Sequence, residues 1–531
     1  MSKAIYIATT GPNSGKSIIS LGLMQMLLGK AAKVGYFRPI IDDFLPGQMD
    51  NHIKTMITYF DLELKFEDAY AYTRSQMIQK KNKGKEDEII SKIIGKYKAI
   101  EDRFDFMLVE GTDFSGEDNI IEWDINVLMA KNLGIPTILL SSGVGKTVED
   151  LIGNLQIAYD SFKEKGVQVL SVVANKVNPD YLDAVKDGLV EHLPAGVLVN
   201  VIPLNPVLAN PTIKEIVEEL NGKVLFGEAY LNNQAGFFSV GAMQLRNYLT
   251  HLKKDSLVIT PGDRADIILG ALQANVSANY PMISGIVLTG GLLPEESIIK
   301  LIEGLSEIVP IISVEGGTYS ITNQIGDIRP RMYAENLQKI TTSIHTFQNY
   351  VEVNALEERL ITFKPSGITP RMFQYNLVKR AQSLKKHIVL PEGTDDRILM
   401  ATKELVDTNT VNITLLGDPK EITEKIARMD LGLDLEKISI VLPTESPNFE
   451  DYAKTLYELR KHKNLNLAMA RDLMEDPSYF GTMMVYKNHA DGMVSGAVNT
   501  TQHTIRPALQ FIKTKPGISV VSSVFFMCLE D

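Results

Sequence analysis

Two stretches near the end of the chain carry the side chains that chemistry on a phosphorylated substrate needs. "YELRKHKN" groups Arg460, Lys461, His462 and Lys463, and "VSGAVNTTQHTIRPALQFIKT" supplies Ser495, Gly496, Asn499, Thr500, Thr501, His503, Arg506 and Lys513. Two arginines converging from separate segments hold phosphate by forked, charge-assisted hydrogen bonds. A strand ending in Ser-Gly-Ala and followed by hydroxyl residues offers backbone N–H and O–H donors in one loop. Arg506, just before Pro507, is expected near a helix start, where the helix dipole also favours an anion. Neither stretch has metal-ligand spacing, and no Ser/His/Asp triad is legible in them.

A third stretch, "TTGPNSGKS", follows the first apolar run and opens a helix-length segment. Small residues at Gly11 and Gly15 let backbone N–H groups approach phosphate oxygens, Lys16 adds a point charge, and the Ser17 hydroxyl suits Mg²⁺. The strict pattern wants its first glycine at position 10, where this chain has Thr10. "SSGVGKT" has Leu140 where the first glycine should stand, so Gly143 and Gly145 are expected to be turn residues.

The elements that must position these groups are read from periodicity. Runs such as "AIYIATT", "FDFMLVEG", "IPTILLSS", "VQVLSVVANKV" and "GVLVNVIPL" are continuous and apolar, as strands covered on both faces of a parallel sheet are. Helix-length segments alternate with them, which predicts a doubly wound α/β domain over 1–224. Lys80 to Lys98 is expected to be a solvated helix face. A second α/β module is expected over 225–345, a linker over 346–370 from the prolines and glycine of "TFKPSGITP", and a third α/β unit over 371–531.

With 531 residues the chain is too long for one core, and its 44% hydrophobic and 22% charged residues belong to globular domains. A net charge of -11 argues against a general nucleic-acid or anionic-membrane surface. The single Cys528 excludes an internal disulfide framework. No secretory leader is read at the start, and no apolar run reaches the roughly 18 residues of a spanning helix, so a cytoplasmic setting is expected.

Taken in order, "LPEGTDDR", "LLGDP", "YELRKHK", "DGMVSGAVNTTQHTIRPALQ" and "KPGISVVSSVFFM" resemble the phosphate acetyl/butyryl transferase domain. The front loop is similar to that of dethiobiotin synthetase. In that resemblance Glu110 matches a metal-coordinating acid, Asn175 a base-recognition position, and Asp50 a weaker metal candidate. "TPGDRADIILGAL" and "LTGGLLP" resemble the DRTGG regulatory module, with Asp263, Arg264, Gly290 and Gly291 as the matching residues. Together the three parts resemble the long bacterial form of the phosphate acetyltransferase family.

That resemblance implies reversible transfer of an acetyl group between acetyl-CoA and phosphate, with coenzyme A as substrate and no cofactor for the transfer. A nucleotide and Mg²⁺ belong, if anywhere, to the front loop (Gly11, Gly15, Lys16, Ser17, Asn175, with Glu110 and Asp50). Arg460 and Arg506 match the family's phosphate-contacting arginines, Thr500 and Thr501 its hydroxyls beside the phosphoryl group, with Ser495 in the same loop. A homo-oligomer without nucleic-acid or membrane partners is expected. The family's aspartate base and Ser-Arg pair correspond to sequence beyond Asp531, so no general base is named. The rear domain is expected to be partial and the chain weakly active or inactive alone. The competing expectations are an ATP-dependent ligase of the dethiobiotin synthetase type and a non-enzymatic nucleotide- or effector-sensing assembly protein.

Overall fold

The computed structural model describes residues 3–527 apart from 45–47, 113–118, 306–307, 329, 364–368 and 519. Cys528 lies outside the described residues. The chain divides into a unit ending at Thr369 and a second beginning at Pro370.

The continuous apolar runs of the front unit become strands because only a position covered on both faces rewards burying every side chain. The strands are β1 (Lys3–Thr9), β2 (Val34–Ile41), β3 (Tyr70–Thr73), β4 (Phe106–Glu110), β5 (Thr137–Ser142), β6 (Val169–Val177) and β7 (Leu198–Pro203). All pair in parallel in the order β3-β2-β4-β1-β5-β6-β7. Strand order reverses between β4 and β1, and the carboxyl ends of strands at such a reversal open onto a crevice. Ile7 of β1 stands opposite Glu110 of β4, so the front loop and Glu110 meet there.

A second sheet holds β8 (Lys223–Phe226), β9 (Phe237–Val240), β10 (Ser256–Pro261), β11 (Ile283–Thr289) and β12 (Ile311–Ser313), ordered β8-β12-β11-β10-β9 with only β8 antiparallel. β8 straddles the expected boundary at 224. The expected linker over 346–370 is corrected: helices Leu337–Tyr350 and Val353–Thr362 fill much of it. The first packs on helix Lys16–Leu28, where a Cβ on Gly22 would lie 2.0 Å from the Phe347 ring. The second buries Leu356 and Leu360 and ties back through Arg359 to the Leu170 carbonyl at 3.2 Å. Each helix hides one narrow apolar stripe, too weak a pattern to stand out beside the proline-rich segment that follows. The expected solvated face at 80–98 is likewise half wrong, since Ile89, Ile90, Ile93, Ile94 and Tyr97 of helix Glu86–Glu101 are buried.

The rear unit begins with helix Pro370–Leu384 and builds a parallel sheet of β13 (His387–Leu390), β14 (Asn412–Leu416), β15 (Ile438–Val441) and β16 (Gly492–Met493), ordered β15-β14-β13-β16. Helices Phe449–Arg460, Leu467–Glu475 and Pro477–Tyr486 bury Tyr452, Leu456, Met474, Phe480 and Met483 in one cluster. The apolar run at 520–527 has the composition of a strand. It joins no sheet among the described residues, and Val524, Phe525 and Phe526 are exposed. β-branched and aromatic residues favour a strand only where a ladder partner is present.

Candidate functional site

At the front, the chain leaves β1 through a tight loop with Asn13 at φ +55° and Gly15 at φ +79°, then enters helix Lys16–Leu28. A Cβ on Gly15 would lie 2.3 Å from Asn175 Nδ2. Asn175 is fully buried, donates to the Ser14 carbonyl at 2.8 Å and accepts from the Lys176 N–H at 2.9 Å. With no exposed surface in this arrangement, Asn175, expected as a base reader, braces the loop from beneath. Lys16 Nζ donates to the Gly111 carbonyl at 2.6 Å and lies 3.6 Å from Glu110. Lys176 donates to the Asn13 carbonyl at 2.8 Å, and its burial lowers the ammonium pKa.

The metal expectation for Glu110 and Asp50 does not fit this arrangement. Glu110 is fully buried; its Oε2 accepts from Ser20 at 2.6 Å and Tyr36 at 2.7 Å. Its Oε1 faces His52 Nδ1 at 3.1 Å, Arg38 Nε at 3.5 Å and Lys16. Burial alone would raise the Glu110 carboxyl, but His52, Lys16 and Arg38 hold it well below the glutamate range. Both Asp50 oxygens accept from Arg38 Nη1, at 2.9 and 2.7 Å, and Oδ1 also caps helix Asn51–Phe60. A divalent cation needs anionic oxygens with lone pairs to spare and no cations crowding them. Ser17 sits half-buried in the first helical turn, and among the described residues no magnesium site is assigned to Ser17, Glu110 and Asp50. No group of three or more His, Cys, Asp or Glu side chains among the described residues is placed to hold a metal ion.

In the second sheet, Gly262 and the Gly290–Gly291 pair meet: a Cβ on Gly262 would lie 1.9 Å from the Leu292 carbonyl oxygen. Gly290 and Gly291 turn with φ of +80° and +65°. The residues of the DRTGG-like pattern, distant in sequence, are thus neighbours. Arg264 is held by Asp266 at 2.8 and 2.9 Å and stands at the N-cap of helix Ala265–Val276 with no side-chain bond.

The rear constellation is built around the loop between β16 and helix Thr501–Pro507. Its backbone N–H groups do not stand open to a ligand, as the sequence suggested. Those of Gly496 and Ala497 donate to Glu392 Oε2 at 2.9 and 3.0 Å, and those of Val498 and Asn499 to Oε1 at 2.7 and 2.6 Å. Glu392 follows β13 in "LPEGTDDR", where the only signal for this role is an acid after a strand. Burial would raise its carboxyl, but the four N–H donors outweigh burial and lower it.

Thr500 caps the helix, its Oγ1 accepting from the His503 N–H at 3.3 Å; Thr501 is exposed at the first helical position. Ser495 Oγ accepts from Thr504 at 3.2 Å. Arg506 lies in the last helical turn and not at a helix start, which corrects the dipole expectation. Pro507 has no N–H for the His503 carbonyl, and the backbone widens into a π-helical turn, Ala508–Ile512. Arg460, ending helix Phe449–Arg460, reaches into that turn, Nη1 to the Gln510 carbonyl at 3.5 Å. Arg506 is exposed and bonds to no other described side chain or carbonyl. The structure therefore brings Arg460 to the turn that follows Arg506, while the threonines stand at the far end of the helix, about 9 Å along its axis.

A phosphate-loop sheet, a glycine-turn α/β module and a rear unit presenting arginines and hydroxyls make this a multidomain α/β protein with two candidate anion sites. Residues 372–531 match the family described as Phosphate acetyl/butaryl transferase, 3–212 the AAA domain and 215–328 the DRTGG domain. Three relatives are each described as a phosphate acetyltransferase. That of Nitratidesulfovibrio vulgaris is 41% identical over all of this chain and 76% of its own length. That of Synechocystis is 41% identical over the same shares, and that of Pseudomonas putida 31% identical over 100% and 76%. The chain belongs to the phosphate acetyltransferase family and is a transferase of that class. It spans about three quarters of the length of these relatives. Among the described residues no helix is long and apolar enough to cross a membrane.

Proposed function

We propose that the rear unit binds acetyl phosphate, with its phosphoryl group between Arg460 and Arg506 and hydrogen bonds from Thr500 and Thr501. Coenzyme A is the acyl acceptor. Its thiolate sulfur attacks the acetyl carbonyl carbon, the carbon–oxygen bond to the phosphoryl group breaks, and inorganic phosphate leaves. The reverse reaction makes acetyl phosphate from acetyl-CoA and phosphate. Two guanidinium groups would orient the acyl phosphate and neutralise charge on the departing phosphate. The thiol proton is assigned to no described residue.

One observation carries the reading: an exposed Arg506 with no bonding partner among the described residues, one turn from the carbonyl that receives Arg460. An exposed arginine near a second one is free to take an anion by forked, charge-assisted hydrogen bonds. The front loop is read more modestly, as phosphate-binding architecture built from Gly11, Gly15, Lys16 and Ser17, with no divalent cation at Glu110 or Asp50. That disfavours an ATP-dependent ligase, which needs such a cation.

Equilibrium binding of acetyl phosphate to wild type, Arg460→Gln and Arg506→Gln tests the proposal. Each variant is expected to raise Kd roughly tenfold or more, the loss of a charge-assisted contact. Unchanged affinity in both variants would sink it.

A further inference from the structure

The Glu392 carboxylate is nearly buried, 7% exposed, yet its nearest donors are four consecutive backbone N–H groups and not a cationic side chain. Successive N–H groups turned to one side form a concavity that ordinarily receives a phosphate or another anion. Here the anion is supplied by the chain itself, from a strand end more than a hundred residues earlier. Gly496 makes the wrap feasible: it sits at φ +130°, a backbone conformation side chains disfavour.

A second grip acts on the same loop from the opposite polarity. Arg397, on the helix that follows Glu392, bonds to the Ala497 carbonyl, while Asp395 holds the Arg397 guanidinium at 3.0 Å. Asn499 Nδ2 adds a bond to Ser478 at 3.2 Å. The loop is thereby fastened by its donors, an acceptor and a side chain, and immediately past its last fastened residue come Thr500 and Thr501. Without the fastening, residues 494–500 would have little to hold them, since Val494 and Val498 are exposed and β16 is two residues long.

We infer that Glu392 is a positioning residue for acyl phosphate: its carboxylate clasps the Gly496–Asn499 backbone and so sets Thr500, Thr501 and the start of the Arg506 helix before substrate arrives. Glu392 touches no substrate itself. The inference rests on the site proposed above and adds which group pre-orders it. It also specifies the chemistry needed: an acceptor with two oxygens, four lone-pair directions and the length of a glutamate. Glutamine keeps the length and one oxygen but presents an NH₂ group to two N–H donors. Aspartate keeps the charge and both oxygens but falls short by one methylene.

The full chain is compared as wild type, Glu392→Gln, Glu392→Asp and Arg506→Gln by three measurements: amide hydrogen exchange at 496–499, acetyl phosphate affinity, and coenzyme A affinity. Glu392→Gln is expected to speed exchange at 496–499 and weaken acetyl phosphate roughly tenfold, with coenzyme A binding unchanged. Glu392→Asp should fall between wild type and Gln, and remains informative if the Gln variant does not fold. Faster exchange with unaltered acetyl phosphate affinity overturns the positioning role while leaving the site intact, provided Arg506→Gln still weakens binding. If neither Arg506→Gln nor Glu392→Gln alters acetyl phosphate binding, the site reading fails and the positioning role with it. Equal loss of coenzyme A and acetyl phosphate affinity marks a general loosening and also overturns the inference.

Discussion

Gly15 takes a left-handed backbone in the front loop and has Asn175 packed where a side chain would begin. Either condition alone selects glycine; together they leave no other residue a low-energy solution. Gly15→Ala would place Cβ 2.3 Å from the Asn175 amide, and that amide cannot withdraw without giving up its bond to Ser14. The expected cost is about 2–4 kcal/mol, from left-handed strain and a displaced buried hydrogen bond. Trp123, the only tryptophan, lies in the front unit against Phe162 and Ser161, so its fluorescence during denaturant unfolding reads the change directly. A loss below 0.5 kcal/mol would show the loop to be more pliant than its geometry. At this scale the sequence showed which residue types were needed and missed how they are used. Glycine spacing marked the loop after β1, and the arginine and threonine pattern marked the segments proposed above as the rear site. The buried duties of Asn175 and Glu392 were hidden, because each serves backbone groups whose position depends on pairing between distant segments.

Elements are joined by a contact of another kind. Glu215, on helix Ile213–Glu219, accepts from the Thr212 N–H at 2.5 Å and its hydroxyl at 2.8 Å as part of a capping box. The same carboxylate pairs with Lys339 of helix Leu337–Tyr350 at 3.1 Å, with both side chains about 1–2% exposed. Burial lowers the lysine pKa, and Glu215 opposes that shift. Breaking a buried pair from one side strands the remaining charge, which costs about 3–5 kcal/mol, whereas removing both charges is much cheaper. Lys339→Met is therefore expected to lower unfolding free energy by about 3 kcal/mol, and Glu215→Gln with Lys339→Met to recover more than half of it. Additive losses in the double variant would refute the coupling. The pair also shows why the third-dimensional role of 337–362 escaped a reading by pattern. A lysine inside a helix is ordinarily solvated, and nothing in the spacing of Lys339 distinguishes it from one that is. The strands were legible for the opposite reason. β1, β4 and β5 are buried at every described position around an apolar stretch of three or more residues, and no other element type explains such runs so economically. The run at 520–527 carries the same composition without joining a sheet, which shows that the pattern states a preference and the partner decides it.

Across the whole molecule the charge balance is acidic, -11, yet the carboxylates that matter for stability are those the fold has depressed. Glu110 and Asp50 belong to the front unit, where burial works to raise both and neighbouring cations prevail to lower them. Glu392 belongs to the rear unit and is lowered by its backbone donors despite burial. A carboxylate depressed on folding binds fewer protons in the native state than in the unfolded one, so its contribution is complete above the ordinary unfolded value. For Glu110 that value is 4.5, and the contribution is lost as pH falls below it toward the lower native value. Denaturant unfolding of the front unit, followed by Trp123 fluorescence, is thus expected to change little in this term from pH 8 to pH 5 and to weaken steeply below pH 4.5. Glu110→Gln cannot titrate at this position. It should lower stability at pH 7 by about 3 kcal/mol, because Arg38, Lys16 and His52 lose their shared carboxylate, and it should show a shallower acid slope than wild type. Salt is expected to alter both curves little, since the cluster is buried and screening acts mainly on exposed charges. An acid slope identical in the variant and the wild type would mean that Glu110 is not held ionised by its cations. The reading of Glu110 as a carboxylate saturated by its cations, and so unfit to hold a divalent metal, would then lose its electrostatic basis.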